Sequence, residues 1–405
     1  MITRRGILVV GVSAALSKPL TYAKIPVEPA PSPEDFDAPA NGQDDDGPAF
    51  RRAMDHLSST GGGTLYLSTG KRYSCQSPVT IPDNCGIDGG LLSPGFVAGL
   101  DYRKQASSLL LDPRASLSLG NSTGLRNLRI LNAALQYPCP ETEAGARARV
   151  DEFTGTAITD SENSADRHIE NVLVIGFNQA IKLVSNQGRA IIKDFRFDCR
   201  NGIEIANSQD VDSLENCLGS DFYMQGRKFN WKAIYRDGTA FSFHHSQDGP
   251  YLVNCFEIGY KLGYAFEKTL SPRLTNCDCD GAADLSLTNL TGLQFTDAGN
   301  ASIVGGNITN QWRAVSVISG GQHAFIGVTI GNQAVAPDGY LLRAAGGSVG
   351  RVVGCFFVAS PKGGDQNPIS FVNKAGQWTG THNQFFGFRA RPVAAEQGVP
   401  SPDFR

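Results

Sequence analysis

The chain predicts an all-β fold, a single right-handed parallel β-helix with a small N-terminal helical cap. Two observations carry this reading. A short marker recurs about every 22 residues through most of the chain. Between markers lie short runs of alternating apolar and polar residues, in a composition with 46 glycines and 19% charged residues. Such a chain favours many short strands and turns over helices.

The markers are Asn171-Val172, Asp194-Phe195, Asn216-Cys217, Asn254-Cys255, Asn276-Cys277, Gly305-Gly306, Gly327-Val328, Gly354-Cys355 and Asn383-Gln384, with Asn127-Leu128 starting the series. Each opens a strand whose apolar residues alternate, as in Val172/Val174, Phe195/Phe197 and Val328/Ile330. A second strand follows, carried by Ile181/Leu183, Ile203/Ile205, Leu285/Leu287, Val315/Val317 and Ile369/Phe371. One such coil cannot bury its apolar side chains alone, whereas coils stacked at ~4.8 Å share a continuous core. Parallel crossovers strongly prefer one hand, which makes the solenoid right-handed.

Stacking places equivalent residues above one another. Cys217, Cys255, Cys277 and Cys355 therefore read as one inward column of small buried hydrophobes; a metal cluster is the rival reading, and the histidine partners it wants are missing from the column. Asparagine at the marker suits a ladder at a bend, where it tolerates left-handed backbone. All nine cysteines lie beyond the N-terminal 23 residues, and Cys75 and Cys85 flank a short strand and turn, which leaves a local disulfide open.

Residues 1 to 23 read as an export signal, with Arg4-Arg5 before an apolar run from Ile7 to Leu16 and a small-residue site at Thr21-Tyr22-Ala23. Thr3-Arg4-Arg5-Gly6-Ile7-Leu8 is similar to the twin-arginine motif, and an ordinary Sec signal is the alternative. The mature protein is then periplasmic or extracellular. No later apolar run approaches the roughly 20 residues of a membrane span. Residues 24 to 34 form a proline-rich linker, 35 to 119 the cap and first coils, 120 to 390 the main helix and 391 to 405 a tail. With 36 basic and 39 acidic residues and a net charge of −3, there is no basic arm or patch, which excludes a nucleic-acid partner.

From Asp35 to Tyr73 the order is strand, Asn41-Gly42 turn, three aspartates at 44–46, helix, triple glycine at 61–63 and strand. Phe50, Met54 and Leu57 put one apolar stripe on the helix, and the aspartates suit its positive end. This order resembles the N-terminal cap of pectate-lyase-superfamily proteins, although Ser68 stands where that pattern has proline. The resemblance covers about a tenth of the chain and carries no catalytic residue. It implies a right-handed parallel β-helix acting on polysaccharides, closest in its cap to rhamnogalacturonase-type enzymes, phage tailspikes and epimerase-like proteins. The motif set of the polygalacturonase branch is not found in order, and Gly321-Gln322-His323 does not supply its Gly-His-Gly.

In such a solenoid the outward residues and long turns carry function. Phe241 and Phe243 match inward positions, leaving Ser242 and His244 outward; the same register sets Lys182, Glu204 and Ser286 outward, with Glu267 near that row. Glu204 and Glu267 would stand roughly 10 Å apart, near the upper limit for paired carboxylates of an inverting glycosidase. With the step from Asn127 to Asn171 read as close to two turns, the largest break in period is the step from Asn216 to Asn254, which contains Trp231, Tyr235, Arg236, Asp237, Asp248 and Tyr251, an aromatic and charged set suited to sugar rings and uronate carboxylates. The alternative is that this insertion covers core. The expected catalytic set is Glu204, Asp237, His244, Asp248 and Glu267, with Trp231, Tyr235, Arg236, Lys182 and Tyr251 binding substrate. Asp278 and Asp280 form a second candidate, outward on one strand, able to serve as acid and base or to hold calcium; otherwise no cofactor is expected. Glu257 falls on an inward position, where a bulge is expected in place of a buried charge.

These features lead to an exported polysaccharide-degrading enzyme, first as a glycoside hydrolase. The alternatives are a polysaccharide lyase, in which Arg236 or Lys232 neutralises a uronate and His244, His245 or Tyr251 takes its proton, and a non-catalytic carbohydrate-binding surface protein. A homo-oligomer, such as a trimer, stays open.

Overall fold

The computed structural model describes residues 30–90, 107–224, 227–228, 234–281, 290–310, 312–332, 340–358, 369–372, 375–387, 393–395 and 403–404. The expected export signal lies outside the described residues, as do Ser286, Trp231 and Lys232. From Pro31 onward the chain forms one unit.

That unit is a right-handed parallel β-helix. Each coil has three straight faces, one more than the strand pattern of the sequence showed. Two faces meet at the marker and together build a 24-stranded sheet; the third builds a 12-stranded sheet. One coil illustrates the plan: Ile191–Lys193 on the first face, Asp194 at the bend, Arg196–Asp198 on the second face and Asn201–Ala206 on the third. The next coil repeats it in parallel register, pairing Ile192 with Leu214, Phe197 with Gly219 and Ile203 with Phe241.

The markers bend the chain because they take left-handed backbone, with φ of 55° at Asn171, 54° at Asn216, 52° at Asn254 and 51° at Asn276. Short polar side chains tolerate that conformation and bond locally. Their side chains form the expected ladder: Asn171 donates to Asn127 at 2.8 Å, Asn216 to Asp194 at 3.2 Å and Asn254 to Asn216 at 3.3 Å. Further along, Gly305, Gly327 and Gly354 take over the bend. The last bend falls at His382, φ 57°, one residue before the expected Asn383.

Inward residues make one continuous core. Phe243, Phe266 and Phe295 stack in consecutive coils, with ring centroids 5.2 and 5.4 Å apart. Cys217, Cys255, Cys277 and Cys355 are all buried, as expected of packing residues. Cys75 and Cys85 are free buried thiols, so the local disulfide is not formed; stacking of their strands already fills that region.

The cap helix α1, Gly47–Ser59, buries Phe50, Ala53, Met54 and Leu57 against the first strands. Asp46 takes its N-cap position, but its side chain makes no capping bond. Its buried carboxylate accepts the backbone N–H groups of Ala40, at 2.8 Å, and Ser74, at 2.7 Å, tying the residue before the first strand to the strand Arg72–Cys75. Coils begin within the expected range, where Asn41–Asp45 pairs with Arg72–Cys75, and at the far end Val393–Ala395 and Asp403–Phe404 continue the sheets where a tail was expected.

A second apolar layer lies on the outside of the bent sheet. Helix α2, Glu143–Asp151, contributes Ala146 and Val150, and the long insertion contributes Phe222, Tyr223, Met224 and Ile234. They cover Leu131, Leu173 and Ile175. The described part of the insertion therefore covers core and does not wall the third face.

Candidate functional site

The third face carries the candidate site. Within the strand Arg236–His244, Phe241 and Phe243 point inward into the aromatic stack, which leaves Ser242 and His244 on the outer surface. The parallel register then assigns two neighbouring outward columns. One runs Lys182, Glu204, Ser242, Ala265, Gln294; the next runs Ala206, His244, Glu267, Thr296. Glu267 thus belongs beside His244, one column from the row that holds Glu204.

Two contacts organise this surface. Ser242 Oγ lies 2.5 Å from His244 Nε2. His244 Nδ1 lies 3.3 Å from Glu267 Oε2, with the histidine side chain 29% exposed. A carboxylate facing Nδ1 favours the proton on that nitrogen, which leaves Nε2 as the acceptor for the Ser242 hydroxyl. Lys182 and Glu204 stand two coils and one coil before Ser242, and Lys182 Nζ is 3.9 Å from Glu204 Oε2. An imidazole, two carboxylates, a hydroxyl and an ammonium group are gathered within four consecutive coils. By contrast, Glu204 and Glu267 are separated by two coils and two residues, roughly 12 Å between Cα atoms. That is somewhat more than the spacing expected for them, and each carboxylate already faces another partner, Glu204 the Lys182 ammonium and Glu267 the His244 ring.

Other expected site residues go elsewhere. Arg236 does not face substrate: it is 1% exposed, and its Nη2 and Nε donate to Asp198 Oδ1 at 2.5 and 2.9 Å. The second apolar layer covers this pair, and burial pushes the Asp198 carboxyl up to about 6 against the pull of the guanidinium and the Tyr223 N–H. Tyr251 sits on the first face, with the Arg273 guanidinium 4.7 Å from its ring centre, and does not join His244. Asp237 is exposed and paired to Arg200 at 3.2 Å, at the opposite end of the strand from His244, roughly 20 Å away. Tyr235 is half-buried just before that strand, and Asp248 is exposed in the turn after it. His245 is exposed at the strand's end with φ 54°.

Asp278 and Asp280 do share the outer surface of the second face. Asp278 accepts the Asn307 N–H at 2.6 Å, and Asp280 accepts the Thr309 hydroxyl at 3.2 Å. Burial, then Asp280, raises the Asp278 carboxyl above its usual range against the pull of that N–H. Among the described residues no third metal-binding side chain joins them. Glu257 corrects its expectation: no bulge turns it outward. Its carboxyl is fully buried and accepts the Cys279 thiol at 2.5 Å and the Tyr260 N–H at 3.3 Å. Burial pushes it up to about 7, so much of it stays neutral at neutral pH.

No known protein family matches the chain, and neither does any curated protein. Solved structures do. The A-module of the mannuronan C-5 epimerase AlgE4 from Azotobacter vinelandii superposes with a TM-score of 0.65 at 14% identity, over 92% of this chain and 99% of that one. The AlgE6 A-module from the same organism gives 0.61 at 16% identity, over 93% and 98%. The Dettilon tailspike protein gives 0.55 at 15% identity, over 89% of this chain and 68% of its own. The parallel β-helix is shared. At these identities the likeness is one of fold.

Proposed function

We propose that this protein is an enzyme of carbohydrate polymers that removes the proton beside the carboxylate of a uronate residue, using His244 as the base. The observation that carries the proposal is the Ser242–His244–Glu267 chain on an open sheet surface. The fold shared with C-5 epimerases and a tailspike supports a glycan substrate.

In the proposed step Nε2 of His244 takes the C5 proton, and the C5–H electron pair becomes the C4=C5 double bond. The C4–O bond breaks, and its oxygen leaves with a proton from water. Glu267 balances the imidazolium, and Lys182 is positioned to offset charge spreading into the uronate carboxylate. Hydrolysis by Glu204 and Glu267 fits less well, because they stand in different columns and each faces another group, Lys182 and His244, instead of the other carboxylate. Export to the periplasm or cell exterior belongs to the same proposal, since such polymers lie there.

The test is incubation with alginate, polygalacturonate and neutral polysaccharides. The expected result is the ultraviolet absorbance of an unsaturated uronate, lost in His244→Ala. Solvent deuterium at C5 of uncleaved polymer would keep the proton abstraction and replace elimination by epimerisation. New reducing ends without unsaturation would overturn the proposal in favour of hydrolysis.

A further inference from the structure

The first face holds a polar trough near its C-terminal end, remote from His244. Its floor is the outward column Ser302, Ala324, Arg351, Thr379, one residue from each of four coils. The small side chains of Ser302 and Ala324 leave a depression of about 750 Å³, within the range of ligand sites. Exposed amides of Asn300, Gln322 and Gln377 line it. The neighbouring column, Val304, Ile326, Val353, supplies an apolar flank, with Val304 40% exposed.

Two cations stand in this column. Arg351 is exposed within the trough, and Arg273 occupies the same column one coil before Ser302, beside the Tyr251 ring. The two arginines are three coils apart, roughly 14 Å. Neither has a carboxylate within ion-pair distance among the described residues. Guanidinium forks match carboxylates, amides match hydroxyls, and an aromatic ring with an apolar flank matches the C–H surface of a sugar.

The geometry points to a second glycan site here, one that binds a carboxylate-bearing oligosaccharide without acting on it. It holds the polymer on the first face while the third face does chemistry. Its binding does not depend on the chemistry at His244, so the two readings fail separately.

The experiment measures calorimetric binding of oligogalacturonates, oligomannuronates and neutral malto-oligosaccharides to His244→Ala protein. Arg351→Gln, Arg273→Gln and Gln322→Ala are then added singly, with Lys182→Gln as the third-face control; thermal melts check folding. The expected result is salt-sensitive binding of acidic oligosaccharides, weakened at least tenfold by either arginine substitution and retained in Lys182→Gln. Unchanged binding in both arginine variants, or loss of all binding in Lys182→Gln, overturns the proposal, as does an absence of acidic-oligosaccharide binding.

Discussion

His244 and Glu267 face each other across one coil of the third face, with Nδ1 3.3 Å from Oε2. The contact joins adjacent strands in direct register, so the backbone ladder sets the approach and the side chains only complete it. Its other nitrogen meets Ser242 on the same strand, two residues away. Residues two apart on a strand share a face, which is why one strand supplies both.

Glu267→Gln should lower turnover on a responsive polyuronate by about 10²–10⁴, the usual worth of positioned acid–base catalysis. Ser242→Ala should keep most activity, because the serine shares the imidazole without taking the substrate proton. Steady-state kinetics on both variants checks this. A dead Ser242→Ala with an active Glu267→Gln would move the chemistry to the serine.

Glu257 makes stability depend on pH. Its carboxyl rises from 4.5 to about 7 on folding, so the native state binds the extra proton between those values. Stability from this group is full below about 4.5 and declines as pH rises through 7. Glu257→Gln should flatten that decline and melt higher than the parent at pH 8. Melting curves at pH 5 and pH 8 decide it; parallel shifts in both proteins would be the contrary outcome.

Arg236→Gln leaves the Asp198 carboxyl buried beneath the second apolar layer without its guanidinium. Removing one partner of a buried pair costs about 3–5 kcal/mol. Chemical denaturation should show that loss, while the folded fraction keeps its activity because the third-face columns are untouched. A variant that is stable and inactive would return Arg236 to the site.

Phe266→Ala opens the aromatic stack between Phe243 and Phe295, at an expected cost of about 3–5 kcal/mol. The same substitution at exposed Phe386 should cost much less. Equal losses from the two would deny that the stack is the core.

Much of this architecture follows from the chain's local pattern. The period, the inward phenylalanines, the cysteine column and the asparagine bends are repeated over short distances, and repetition alone implies stacking. That Ser242 and His244 face outward follows for the same reason, since strand alternation is a local rule. What the pattern could not decide was how distant segments cover one another. Arg236 and Asp198 look like surface charges until the Phe222–Met224 segment of the insertion closes over them. Glu257 looks too costly to bury until Cys279, the Tyr260 N–H and a nearly neutral carboxyl make it tolerable. The position of Glu267 beside His244, one column from Glu204, depended on the register of the strand Tyr260–Glu267, which the alternation pattern left open. Register between coils is a property of the whole stack, because each strand is placed by the one beneath it, and only the folded chain displays it.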